Sequence, residues 1–195
     1  MSQYFENDDK VKSNISLKEV TVKNIKYYFY TDNGVFNKSG LDYGTRLLLN
    51  NIDLSNKSSF LDIGCGAGVV GIYLKKLNSE YTVDMCDINK RAVDLTNKGL
   101  KKNGINITAF ESDAYSNIDS RYDCIISNPP IHAGKEKVYE IIREAKSHLN
   151  SNGELWIVMR KDQGALSMMK DNQDIYNFEV VTKDKGFLII KARVI

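Results

Sequence analysis

The residues able to do chemistry fall into a few short stretches. The first is Leu61-Asp62-Ile63-Gly64-Cys65-Gly66-Ala67-Gly68-Val69-Val70-Gly71, four glycines that follow a short apolar segment and open a predicted helix. Glycine adopts positive φ and lets a ligand lie against the backbone, while the free N–H groups of a helix start favour anionic or polar ligand groups. Gly66 to Gly71 match the dinucleotide fingerprint, and Asp87 supplies the acidic residue expected roughly 20 positions further on. The same glycines behind Asp62 also suit a nucleoside joined to an amino acid. Asp62 can meet the ammonium of such a ligand, directly or through water, or can tie down the N–H groups of its own loop.

Asp87 ends the apolar run Val83–Cys86 and can hold two vicinal ribose hydroxyls with its two carboxylate oxygens, or cap the helix that follows. Asp113 can accept a hydrogen bond from an adenine amino group, or cap a turn. Asn128-Pro129-Pro130-Ile131 is the second informative stretch: two prolines fix φ and remove two N–H donors, leaving carbonyl groups in set directions beside the Asn128 amide. Such an acceptor cradle orients a planar amino group through its two N–H donors and turns its nitrogen toward an electrophile; a plain rigid turn is the alternative. His132 can orient this loop or touch substrate, without a serine or cysteine arranged as its nucleophile. Lys90, Arg91, Lys98, Lys101 and Lys102 share one predicted helix, and Lys135 and Lys137 follow the proline loop; these are a solvated face or contacts for RNA, with Lys135 nearest the site.

These residues need strands to end beside one another. A strand–helix rhythm begins near residue 58: strand 59–63, helix 68–77, strand 81–87, helix 89–102, strand 105–111, a turn near 113–118, strand 122–127, helix 135–149, strand 154–159 and helix 163–171. Alternation of this kind predicts an α/β fold, a doubly wound, mostly parallel sheet whose ligand sits beyond the carboxyl ends of its strands. Strands at 176–182 and 186–193 predict a C-terminal antiparallel hairpin. Before the sheet, 19–23 and 26–31 predict a small N-terminal β-hairpin extension around Asn24-Ile25. The glycine-punctuated segment 34–44 precedes a helix at 45–49 and is placed as a lip over the site. Residues 1–17 are polar and unpatterned. The chain is expected to be one domain, with 1–45 as extension and lip and 46–195 as core.

With 195 residues, 42% hydrophobic and 27% charged, the chain can bury a core without staples. A net charge of +2 permits nucleic acid as a partner without demanding it. Three cysteines, far apart and without a Cys-x-x-Cys pair, suggest neither a disulfide framework nor a metal site, and fit a reducing cytoplasm. A polar start and the lack of a long apolar run predict a cytoplasmic protein without membrane attachment, monomer or homodimer.

Taken together, the glycine loop, Asp87, Asp113 and the run 127–131 resemble a class I S-adenosylmethionine-dependent methyltransferase that modifies a planar exocyclic nitrogen. Gly34-Val35-Phe36, Gly40-Leu41-Asp42, the loop 62–68 and the run 122–132 narrow the resemblance to the methyltransferase small domain family, including the catalytic domain of the bacterial 16S ribosomal RNA guanine methyltransferase. The resemblance covers about four fifths of the chain, and the larger ribosomal enzymes carry an additional N-terminal domain. It implies a Rossmann-like fold and S-adenosyl-L-methionine as cofactor. It also implies a guanine in ribosomal RNA or the small ribosomal subunit as partner, without a metal. Asp62, Gly64 and Gly66 would border the methionine part of the cofactor, Asp87 with Ile88 its ribose, and Asp113 with Ala114 its adenine. Asn128, also bordering the cofactor, and the Pro129 carbonyl would hold the target amino group, with Pro130 and Ile131 completing the catalytic loop and Phe36, His132 and Lys135 touching substrate. Ile131 departs from the family, which often has an aromatic there to stack on the flipped base; Ile131 can only pack against it, so stacking falls to another residue, for which Phe36 is the candidate. The same motif would suit adenine or a protein glutamine, and a nicotinamide-dependent oxidoreductase or a catalytically silent RNA-binding module are the more distant readings.

Overall fold

β3 (Ser59–Ile63) lies inside the sheet, buried on both faces and paired along both edges. In the computed structural model, which describes residues 12–35 and 40–195, β3 runs parallel to β4 (Thr82–Asp87) on one side and to β6 (Tyr122–Ser127) on the other. The full sheet has seven strands in the order β5-β4-β3-β6-β7-β9-β8, with β5 (Phe110–Glu111), β7 (Leu149–Arg160), β8 (Tyr176–Asp184) and β9 (Phe187–Val194). β7 is parallel to β6, and the β8–β9 hairpin adds antiparallel to it. This is the mixed α/β sheet expected, and the order reverses between β3 and β6.

Alternation along the strands divides the core into two layers. Phe60, Val83, Met85, Cys124, Ile126, Trp156, Val158 and Ile189 face α1 (Tyr43–Asn51), α2 (Val69–Leu77) and α3 (Lys90–Lys102). Leu61, Ile63, Cys86, Ile125, Leu155, Ile157, Leu188 and Ile190 face α4 (Lys135–Glu144) and α5 (Ala165–Asp171). The separate two-stranded sheet of β1 (Ser16–Val22) and β2 (Ile25–Thr31) lies on the first layer, where Tyr27 and Phe29 are fully buried. Its turn sits at Lys23-Asn24, one residue before the expected Asn24-Ile25, because both take positive φ (46° and 66°), as a tight hairpin turn requires, while Ile25 already pairs with Val22. No helix among the described residues is long and apolar enough to cross a membrane.

β1 and α1 start earlier than expected, at Ser16 and Tyr43, and three further elements differ more. β5 is two residues rather than seven, because it lies at the sheet edge and Ile105 and Ile107 pack on the core without joining a ladder. The helix expected to run to 149 ends at Glu144 and tightens into a 3₁₀ turn, Ala145–His148. Leu149 can then pair with Tyr122, so β7 starts five residues earlier than its apolar run, at the cost of an irregularity before Glu154 pairs with Cys124. Asn152 takes φ 65° within that irregularity.

Gly153 follows in it with no room for a side chain: a Cβ there would lie 2.9 Å from the Asn150 carbonyl oxygen and 3.0 Å from that of Tyr122. Both neighbours are backbone and cannot swing away. Gly153→Ala is expected to destabilise the fold by about 1–3 kcal/mol in denaturant melts with an unchanged m-value. An unaltered midpoint would show that this corner relaxes freely.

Candidate active site

The glycine loop is held in place by the strand ends around it. Cys65 N–H donates to the Cys86 carbonyl at 2.9 Å, Gly66 N–H to Asp87 Oδ2 at 2.9 Å, and Thr96 Oγ1 of α3 to the Gly66 carbonyl at 2.9 Å. Gly64 and Gly68 take φ 69° and 75°, where glycine avoids the strain of a side chain. A Cβ at Gly68 would also strike Thr96, whereas one at Gly64 would project into open space, and Gly64 lines a cleft of about 540 Å³.

Asp87 closes that cleft on the β4 side. Its Oδ1 accepts the Asn89 N–H at 2.8 Å, so both carboxylate oxygens hold backbone donors while the side chain borders the opening. Burial pushes its carboxyl up from the ordinary value, with the Asn89 and Gly66 N–H groups pulling the other way. Asn89 caps α3, accepting from Arg91 N–H and Ala92 N–H, and its Nδ2 donates to the Gly34 carbonyl. Beyond β5, Ser112 Oγ donates to the Ala114 carbonyl at 2.8 Å and Ala114 takes φ 45°, an uncommon conformation for a residue with a Cβ.

On the far side, Ser127 Oγ donates to the Ile63 carbonyl and ties the end of β6 to the end of β3. Asn128 follows with its Nδ2 donating to Thr45 Oγ1 of α1 at 3.2 Å, an arrangement that leaves the amide oxygen to accept. Thr45 is itself fixed, its N–H donating to the Asp42 carboxylate that caps α1. Pro129, Pro130, Ile131 and His132 continue the cleft wall.

The cleft thus gathers Gly64, Gly66, Asp87, Ile88, Asp113, Ala114, Asn128, Pro129, Pro130, Ile131 and His132. Three expected residues need a different account. Asp62 shares the strand face of Phe60, so it points under the start of α2, where its Oδ2 accepts the Gly71 N–H at 3.0 Å; it is 4% exposed and does not line the cleft. Lys135 pairs with Asp171 at 3.0 Å and also lies outside the lining, whereas Lys137 is in it and pairs with Asp113 at 2.7 Å. Asp113 is therefore partnered on the cleft wall and half-exposed. Phe36 lies outside the described residues. Sequence reasoning missed Thr45, Arg160, Gln163 and Phe187; the last three line the cleft. No signal short of the β7–β9 register, which sets Arg160 opposite Phe187, could have found two of them. Among the described residues no group of three or more His, Cys, Asp or Glu could hold a metal ion.

Comparison with known proteins follows the same lines. Residues 26–191 match the model of a family described as methyltransferase small domain. A Bacillus subtilis protein named YbxB, itself uncharacterised, is 39% identical over 97% of this chain and 97% of its own length. The ribosomal RNA small subunit methyltransferase C of Haemophilus influenzae is 44% identical over 66% of this chain, which spans only 40% of that enzyme. Among solved structures, the Thermus thermophilus 16S rRNA N2 G1207 methyltransferase in complex with AdoMet and guanosine superposes with a TM-score of 0.78 at 20% identity. It covers 94% of this chain, which covers 51% of it, a likeness of fold.

The buried Asp62 gives this site a pH signature. Burial lifts its carboxyl from 3.8 to about 7, the neighbouring Asp87 charge adding to the effect and the Gly71 N–H opposing it. Above pH 7 the carboxyl is ionised in both states and the fold carries the full cost of the buried charge. As pH falls from about 7 toward 3.8 the folded protein takes up the proton first, and that cost fades. Asp62→Asn, which keeps an acceptor for Gly71, should melt above the unsubstituted, ligand-free protein at about pH 8. The gap should narrow steadily toward about pH 5; a constant gap would refute the burial effect.

Proposed function

Because the chain belongs to the methyltransferase small domain family, we propose that it methylates the exocyclic amino group of a guanine in small-subunit ribosomal RNA. It is an S-adenosylmethionine-dependent methyltransferase, which decides between the two ligands that its glycines allowed in favour of the methyl donor.

The cleft fits that cofactor on its own terms. Gly64 leaves its wall without a side chain, and the Asp87 carboxylate is already oriented by two backbone donors at a place that suits a vicinal diol. Ile63, Ile88, Ala92, Ala114 and Ile141 supply apolar lining for a flat base. Gly64, Gly66 and Asp87 would hold the cofactor, which when bound supplies an electrophilic methyl group on a sulfonium. Asp62 contributes from below by fixing the start of α2 through Gly71.

The observation that carries the choice of acceptor is the Asn128-Pro129-Pro130 loop, whose amide nitrogen is taken up by Thr45. Asn128 Oδ1 and the Pro129 carbonyl would each accept one N–H of a planar amino group, directing its nitrogen lone pair out of conjugation and stabilising the positive charge that develops there. The step needs neither a nucleophile nor a dedicated base. The extra proton leaves to solvent once the nitrogen is alkylated, so the protein's contribution is positioning and electrostatics. The RNA reading of the acceptor is supported by the similarity to the Haemophilus influenzae enzyme, named for the small-subunit ribosomal RNA.

Incubation with methyl-labelled cofactor and, separately, small ribosomal subunits, naked 16S RNA and ribosomal proteins tests this directly. Label is expected on guanine in the RNA, and Asn128→Ala should lower transfer by about 10²–10³-fold. The same variant should keep the rise in melting temperature that S-adenosylhomocysteine confers. Label confined to protein or to adenine would sink the guanine reading.

A further inference from the structure

The order of the sheet divides the cleft. Asp87 and Asp113 lie at the ends of β4 and β5, on one side of β3, while the Asn128 loop follows β6 on the other. Continuing past β6, the cleft wall passes to Arg160 at the end of β7 and Phe187 at the start of β9, paired opposite each other in register. Among the described residues, the β7–β9 side is the wall on which an acceptor held by Asn128 would rest, with the cofactor on the β3–β5 side.

What it would rest on is flat. The Arg160 guanidinium lies over the Phe187 ring, its carbon 5.2 Å from the ring centroid. Asp162 holds that guanidinium in place with two hydrogen bonds of 2.9 Å, to Nε and to an outer nitrogen. The ring is seated against Gly44, where a Cβ would come within 2.7 Å of it, and against the tilted ring of Tyr43 at 5.9 Å. An aromatic ring and a planar cation, both partly exposed and both on the cleft wall, form a surface that a nucleobase can stack upon. Ile131, in the catalytic loop, has no π-face to offer. Lys161, Lys183 and Lys185 stand exposed on the same edge and, with Arg160, outnumber the exposed Asp162 and Asp184 beside them, which leaves the edge with the sign that a nucleic acid backbone requires.

We infer that the Phe187–Arg160 pair is the stacking subsite for the base that receives the methyl group, taking the place of an aromatic side chain in the catalytic loop. The inference rests on the RNA reading above. Phe187 acts on substrate affinity and orientation, and the cofactor does not depend on it.

Steady-state methyl transfer to small-subunit RNA separates stacking from packing. Phe187→Leu keeps apolar bulk against Gly44 but loses the π-face, and is expected to lower kcat/KM by about 5- to 100-fold, chiefly through KM. Phe187→Tyr keeps the face and should stay within about threefold of the unsubstituted enzyme. Both should bind S-adenosylhomocysteine unchanged. In Phe187→Trp the same RNA should quench indole emission beyond the change seen with the buried Trp156 alone. Leu and unsubstituted enzymes of equal kcat/KM, or Leu and Tyr falling together with loss of S-adenosylhomocysteine binding, would overturn the inference. No label on RNA from the unsubstituted enzyme would instead defeat the functional reading on which it rests.

Discussion

The seating of β3 between two parallel partners is the constraint from which the site follows. After β3 the chain crosses through α2 to pair as β4 on one side, while β6 arrives on the other. The connections that leave β3 and β6 therefore part company, and the opening between them is a consequence of strand order rather than of any local motif. Ser127 Oγ on the Ile63 carbonyl keeps the two strand ends together while their loops diverge. Every chemically useful group but those of α1 sits within a few residues of a strand end, which is why a rigid sheet can place them with little help from the loops themselves.

The strand ends carry an electrostatic cost. Asp62 and Asp87 are both buried carboxylates whose proton affinity burial raises, and the Asp87 charge raises that of Asp62 further. Neither is placed to strengthen the fold in isolation. Backbone N–H groups of Gly66, Gly71 and Asn89 offset part of the desolvation, and by doing so they fix the glycine loop and the start of α2. Buried carboxyls with raised proton affinity, one on the cleft wall and one directly beneath it, are more characteristic of binding sites than of structural ion pairs, which bring a cation with them. Neither Asp62 nor Asp87 has a cation among its hydrogen-bond partners; the cleft's own ion pair, Lys137 with Asp113, stands at its rim, and Lys57 and Arg193 pair with Glu154 in β7.

Much of this was legible in the residues. β3 and β6 are bounded as their apolar runs indicate, since glycine or asparagine–proline follows each at once. The periodicity of α3 and α4 indicates their buried faces, with Ala92, Leu95, Leu100, Val138, Ile141 and Ile142 all inward. The direction of Asp62 was also readable, because a strand that buries Phe60 on one face must send Asp62 to that face. What could not be read is whatever depends on pairing between distant segments. The early start of β7 rests on Leu149 meeting Tyr122, and the shortness of β5 on its lying at the edge. Phe187 looks like the first core residue of a strand, and only the antiparallel register with β7 brings it beside Arg160 at the mouth of the cleft.

The same reasoning changes the standing of the segment before the sheet. Its two ends are fastened to opposite walls of the cleft: the Gly34 carbonyl accepts from Asn89, at the head of α3 beside Asp87, and Thr45 accepts from Asn128 in the proline loop. Val35 and Asp42, between those anchor points, line the opening. The amide that would orient a target nitrogen is thus set partly by Thr45, a residue outside the glycine loop and the proline loop. Asp42 strengthens that hold by capping α1 through Thr45 N–H, the same residue whose hydroxyl receives Asn128. The glycine loop would set where a methyl donor lies, and the strand order, with Thr45 holding Asn128, would set the direction from which an acceptor approaches.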